Sequence, residues 1–297
     1  MGSPCRIRLA GVDAARAAHA AEAAEAAITE VRRLEAKYSR YREDSVVSRL
    51  NGGAGGPEPV QVDDETLQLL AYADQLYDIS EGLFDLTSGV LRRAWDFKAA
   101  RPPKPEQVDA LLPLIGWTKV QRHGHDVRLP QPGMELDFGG FGKEYACDRA
   151  ATLLQAEGLN SGIVNLGGDL RVLGPQPDGQ PWSIGITHPR EPDGVIASLD
   201  IHHGALATSG DYERWFEHAG QRYCHLLNPH TGRPVQHWQA ISVLAPACVA
   251  AGALTTIAML MQERALPFLQ AQGVAYLAID AQGSLYRADP CNDEDND

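Results

Sequence analysis

The sequence predicts one α+β domain in which mixed or antiparallel sheets pack against helices. Three observations predict it. Apolar residues at helical spacing dominate the first half, and short strands broken by glycine and proline turns dominate the second. No internal repeat or composition break separates the two halves, so residues 1–288 are expected to form the domain. The acidic stretch 289–297 is expected to be a disordered tail. With 297 residues, 44% of them hydrophobic, the chain can build a sizeable core.

Cys5 to Leu9 reads as an edge strand, and Asp13 as the cap of an alanine-rich helix running toward Lys37 with Ile28, Val31 and Leu34 on its apolar stripe. Tyr38 to Asn51 is polar and aromatic, and Gly52 to Pro59 is a loop. Leu67, Leu70, Ala71, Ala73 and Leu76 place a second helix over Glu65 to Ser80. A compact aromatic segment, Gly82 to Phe97, leads through a proline-rich link to a short helix at Glu106 to Leu112. Val120 to Arg122 and Val127 to Leu129 form a hairpin around His123-Gly124-His125-Asp126. Met134 to Phe138 reads as a strand entering a glycine turn, and a helix spans about Lys143 to Glu157. Further strands are expected at 163–165, 170–173, 182–186, 196–201 and 241–244. Ala247 to Met261 reads as a buried helix, and Ala275 to Tyr286 as a closing hairpin.

Composition excludes several functions. The formal charge is −13 and the pI about 5.2, which argues against broad nucleic-acid binding but permits a local basic pocket for an anionic cofactor. No apolar run reaches the ~18 residues of a transmembrane helix. The five cysteines are scattered and lack metal spacing, which favours a reducing compartment over a disulfide framework. Residues 1–6 carry no charged region followed by an apolar one, so no export signal is legible, although a processed chain would read the same.

The most informative stretch is Asp137-Phe138-Gly139-Gly140-Phe141-Gly142-Lys143-Glu144-Tyr145. A strand, a glycine turn and a helix start with a lysine can aim backbone N–H groups, a positive helix end and an ammonium at one anion. Four later segments share its character. They are Gly162 to Leu170, a strand, double-glycine turn and acid; Ala207-Thr208-Ser209-Gly210-Asp211-Tyr212, which reads as a polar turn before an aromatic segment; Tyr223 to Pro234; and Ala251-Gly252-Ala253-Leu254-Thr255-Thr256.

In this order the five segments resemble the ApbE family, the FAD:protein FMN transferases, whose patterns are DLGGIAKGYAVD, VNLGGD, ATSGDY, YSHIIDPRTG and ADALATA. Tyr41 to Asn51 and Gly82 to Gly89 echo the family's N-terminal patterns, and Met1-Gly2-Ser3 its opening MGT. The resemblance spans essentially the whole chain. It implies a T-fold-related domain that splits FAD with Mg²⁺, joins FMN to a threonine or serine hydroxyl of an acceptor flavoprotein, and releases AMP. It also implies site residues. His225 would move the proton. Met1, Tyr41, Leu83, Phe84, Asp85, Asp137, Lys143 and Leu227 would bind FAD. The Gly140 carbonyl, Thr255 and Thr256 would hold the metal. Members of the family are often periplasmic.

Most of these residues also have plain structural readings: turn caps for Asp85 and Asp169, back-bonded hydroxyls for Thr255 and Thr256, and a carbonyl partner for His225. The chain departs from the family at Gly252, where the pattern has a metal-binding aspartate, and at Glu144, where it has glycine. Glu144 is therefore a candidate replacement acid. Leu86, Cys224 and Asn228 stand for the usual proline, serine and aspartate, and the last removes a charge near His225. A non-catalytic FAD-binding protein and an FAD pyrophosphatase are the alternatives.

Overall fold

A computed structural model describes residues 4–191 and 193–289. At its centre lie seven strands: β1 (Cys5–Leu9), β2 (Gly162–Leu166), β3 (Asp169–Gly174), β4 (Gly204–Gly210), β5 (Trp238–Ala245), β6 (Ala275–Asp280) and β7 (Leu285–Ala288). They neighbour one another in that same order, and each adjacent pair is antiparallel. Before β2 the chain builds α1 (Ala17–Tyr38), α2 (Val46–Gly52), α3 (Asp64–Ile79) and α4 (Gly142–Ala156). Between β5 and β6 it adds α5 (Cys248–Met261) and α6 (Ala265–Ala271).

The two-residue period of a strand divides the core. Val164, Ala205, Ala207, Ile241 and Val243 point into the main core with the helices. Ile163, Leu170, Val172 and Leu206 point the other way, onto a hairpin of Trp182–Thr187 and Val195–Ile201. Helix α5 lies against β4 and β5, α4 against α5, and α1 against α4. α5 is buried nearly all round because it is sandwiched there, as its nearly all small and apolar sequence requires.

Helix α5 has no side-chain cap of its own. Asp148 of α4 supplies one, accepting from Cys248 N at 2.9 Å and Val249 N at 2.8 Å. One carboxylate thus satisfies two orphan donors and fixes the register of α4 on α5. On the outer side, Arg33 bridges Glu30 and Glu65, and Lys37 bridges Glu65 and Asp63, tying α1 to α3. Tyr145 of α4 donates to Glu65 at 3.1 Å.

The structure corrects four local expectations. Met134 to Phe138 is extended but is not a strand. Asn51 takes both backbone groups of Leu136, donating to its carbonyl at 3.0 Å and accepting from its N–H at 2.7 Å, while Asp137 N donates to Leu86 O. Ala207 to Gly210 belongs to β4 rather than to a turn. The polar stretch after Tyr38 contains α2, started by Ser45, which accepts from Ser48 N at 2.9 Å. The segment after Tyr212 forms a hairpin, Trp215–His218 with Gln221–Cys224. Its Phe216 and Tyr223 stack with Trp95 and Phe97 into a third apolar cluster. Cys147, Cys224 and Cys248 are buried free thiols. No described helix is long and apolar enough to cross a membrane. Met1 and all of the acidic tail beyond Asp289 lie outside the described residues.

Candidate active site

The glycine turn is shaped by aromatic packing. Phe138 and Phe141 are buried and meet edge to face, and Phe141 also stacks on Phe84. The Phe84 ring lies so close to Gly140 that a Cβ there would sit 2.7 Å from it. Phe84 and Leu83 are themselves buried, so their side chains seat the turn. Asp85 caps the following 3-10 turn through Thr87 N at 2.7 Å and also accepts from Trp117 N at 2.9 Å. Both its oxygens are committed to protein donors, as its plain structural reading expects.

Asp137 points along the turn, accepting from Gly139 N at 2.9 Å. Its other oxygen pairs with Arg40, a residue the motifs did not single out. Arg40 also donates to the Tyr41 hydroxyl at 3.1 Å and lies 5.1 Å from the Tyr41 ring centroid. Tyr41 is 75% exposed, a large flat ring braced from behind by a cation.

Lys143 leaves the first turn of α4 and meets Asp169 at 2.6 Å and Glu144 at 3.7 Å. Burial disfavours its charge, but the two carboxylates outweigh that and raise its pKa, so the ammonium is fixed in place. Asp169 is oriented by Thr208 N, which donates to it at 3.1 Å. Glu144 is only 6% exposed, and its Oε2 has no hydrogen-bond partner. Burial and the neighbouring Asp169 raise its pKa well above the usual carboxylate range.

On α5, Thr255 donates to the Gly252 carbonyl at 2.9 Å. Ser209, at the end of β4, hydrogen-bonds Thr255 at 2.9 Å and Thr256 at 3.4 Å. Gly252, Thr255 and Thr256 share one helix face, since positions three and four apart stack. Glu144 faces them from α4: a Cβ at Gly252 would lie 2.5 Å from Glu144 Cγ. Among the described residues, no three His, Cys, Asp or Glu side chains gather into a metal cage.

His225 follows the outer hairpin, and its backbone N–H donates to Arg214 O at 3.0 Å. Its ring is half-buried, with Nδ1 enclosed and unpartnered. Burial first, then the Arg214 and Lys143 cations, lower its pKa to about 4. Leu227 packs beside the Trp95 cluster and bridges to Pro234. Asn228 accepts from His230 N at 2.9 Å and Thr231 N at 3.2 Å, so its side chain organises the turn instead of facing His225. Arg40, Asp148 and Ser209 escaped the sequence reading. Ser209 stood inside a quoted motif, whereas the other two become visible only through tertiary partners.

The fold and this cluster of lysine, acids, hydroxyls and histidine around a glycine turn define a family. The chain belongs to the ApbE family, whose model matches residues 1–278. The FAD:protein FMN transferase of Vibrio cholerae is 34% identical over 84% of this chain and 78% of its own length. That of Salmonella typhimurium is 29% identical over 97% of this chain and 84% of its own. Among solved structures, the ApbE protein of Thermotoga maritima superposes with a TM-score of 0.87 at 32% identity, covering 97% of this chain and 94% of that one. The flavin transferase ApbE of Vibrio cholerae gives 0.82 at 29% identity, covering 98% and 95%.

Proposed function

We propose that this chain is an FAD:protein FMN transferase. It cleaves FAD at the pyrophosphate, joins FMN through a phosphoester to a threonine or serine hydroxyl of an acceptor flavoprotein, and releases AMP. The hydroxyl proton leaves as the new P–O bond forms, and the AMP phosphate departs with the bridging oxygen. Family membership supports the reading. The observation that carries it is a fixed Lys143 ammonium within electrostatic reach of an unprotonated histidine with a free ring nitrogen.

Lys143 offsets charge on the phosphates, and its pairing with Asp169 holds it ready without reorganisation. His225, neutral above about pH 4, accepts the proton of the acceptor hydroxyl or delivers one to the leaving group. Tyr41 packs on the flavin or adenine ring of FAD, and Leu227 lines the cofactor cleft. Arg40 aims Asp137 at the cofactor, and Leu83, Phe84 and Asp85 hold the turn that lines its cleft. The donor chemistry suits Mg²⁺: the Gly140 carbonyl and the Thr255 and Thr256 hydroxyls are hard oxygens, and the buried Glu144 carboxylate, which abuts Gly252 one turn before the threonines, has an oxygen without a partner. When bound, it would offset charge at the transferring phosphoryl group.

The departure at Gly252 keeps a second reading in view, an FAD pyrophosphatase or an FAD-binding protein. Chromatography of AMP released from FAD and Mg²⁺, with and without an acceptor domain, separates the three. Transfer predicts AMP release that depends on the acceptor. Equal release of AMP and FMN without acceptor indicates hydrolysis, and intact bound FAD indicates a binder.

A further inference from the structure

We infer that Glu144 is the carboxylate ligand of the metal in this chain, reaching across from α4 into the space that a side chain at position 252 of α5 would fill. The inference rests on the magnesium-dependent reading above and extends it to a residue that the family's pattern leaves as glycine.

Three independent features carry it. The first is volume. A Cβ built on Gly252 would lie 2.5 Å from Glu144 Cγ, 3.0 Å from its Cδ and 3.2 Å from its Oε1. The two positions therefore exclude each other: a side chain at 252 needs a small residue at 144, and a glutamate at 144 needs glycine at 252. The second is satisfaction. Glu144 is buried and Oε2 has no partner, although Lys143 stands 3.7 Å from Oε1. A glutamate placed only to pair with Lys143 would gain nothing from the second, enclosed oxygen, which costs free energy while it stays unpartnered. The third is company. The Glu144 side chain meets the helix face that presents the Thr255 and Thr256 hydroxyls, one turn beyond Gly252, and Ser209 binds both. Those are oxygen donors for a hard cation that commonly uses one or two carboxylates and completes its shell with water and substrate phosphate.

The register that brings Glu144 to Gly252 is built in. Asp148 lies one turn after Glu144 on α4 and caps α5 at Cys248 and Val249, one turn before Gly252. The two contacts are successive rungs of one helix pair.

The test uses Mn²⁺ as the probe, titrated by electron paramagnetic resonance into the full-length chain with FAD bound. Variants are Glu144→Gln, Glu144→Gly, Gly252→Asp and the double exchange Glu144→Gly with Gly252→Asp. Glu144→Gln, which keeps shape, is expected to weaken Mn²⁺ at least about tenfold, since loss of a mere supporting residue already costs that much. Glu144→Gly is expected to match it, and the double exchange to return within a few fold of the wild type. Gly252→Asp alone forces two side chains into one volume, so its poor folding is expected and the double exchange carries the argument. Mn²⁺ affinity of Glu144→Gln equal to the wild type overturns the inference, as does a double exchange no tighter than Glu144→Gly. FMN transfer by the wild type, measured alongside, keeps the two ideas apart. Transfer with a metal indifferent to Glu144 sinks only this assignment, whereas Glu144-dependent Mn²⁺ binding without transfer sinks only the transferase reading.

Discussion

Burial strips water from the His225 ring, and the Arg214 and Lys143 cations oppose another positive charge, so its pKa falls to about 4 from an ordinary 6.5. The depressed value sets a pH window. Between pH 6.5 and 4 the unfolded chain binds the proton that the folded chain refuses, so stability falls as pH falls, by about 3 kcal/mol at pH 4 from this group. If His225 is the base, as proposed, it stays available over the same range. The acid limb of kcat/KM for transfer is expected well below pH 6.5, tending toward 4; an acid limb at 6.5 that vanishes in His225→Gln would contradict the environment described. Lys143 carries the second prediction. Lys143→Met removes the ammonium and leaves Asp169 unneutralised, and kcat should drop by about 10²–10³. Retention of more than a tenth of the wild-type kcat would mean that Lys143 does not face the reacting phosphate. Sequence alone singled out both residues as candidates, because each sits in a glycine- or proline-punctuated motif. It could not locate Arg40, whose pairing with Asp137 spans two distant segments, nor the orphaned oxygen of Glu144, which exists only because α4 packs on α5.

Helix α4 is the element on which the site turns: its first turn carries Lys143 and Glu144, and its second carries Asp148. Asp148→Ala would remove the acceptor for two buried backbone donors at the start of α5. It is expected to cost about 1–3 kcal/mol, read as a lowered midpoint in denaturant with an unchanged slope. An unchanged midpoint would show that α5 needs no external cap. Helical spacing made α1 and α3 legible, the glycine turn marked the start of α4, a nearly all apolar run marked α5, and glycine and proline turns bounded most of the strands, although Asp13, the expected cap of α1, lies before its N-cap, Arg16. The failures have separate causes. Met134 to Phe138 looks like a strand, but a side chain, Asn51, takes the role of a neighbouring strand. α2 is only seven residues long and amid polar sequence, so its apolar face is too short to register. Ala207 to Gly210 looks like a turn because three of its four residues, Thr208, Ser209 and Gly210, are small and polar or glycine. Gly210 is there because the Tyr212 ring covers it, with a Cβ at that place 2.3 Å from the ring.

At the scale of the molecule, a single antiparallel sheet with helices on one face brings four distant segments to one place. β3 delivers Asp169, β4 Ser209, α4 Lys143 and Glu144, and α5 the threonines. Although the net charge is −13, Lys143 and Arg214 both act on His225, and Arg40 stands behind Tyr41, so cations are at hand where an anionic dinucleotide is expected to lie. The central claim is that this place moves FMN onto a protein. The most direct measurement is the intact mass of an acceptor flavoprotein domain after incubation with this chain, FAD and Mg²⁺. The account predicts an increase of one FMN joined as a phosphoester, absent when the acceptor's threonine or serine is replaced by alanine. An acceptor of unchanged mass, with FAD consumed to AMP and free FMN or left whole, would contradict it.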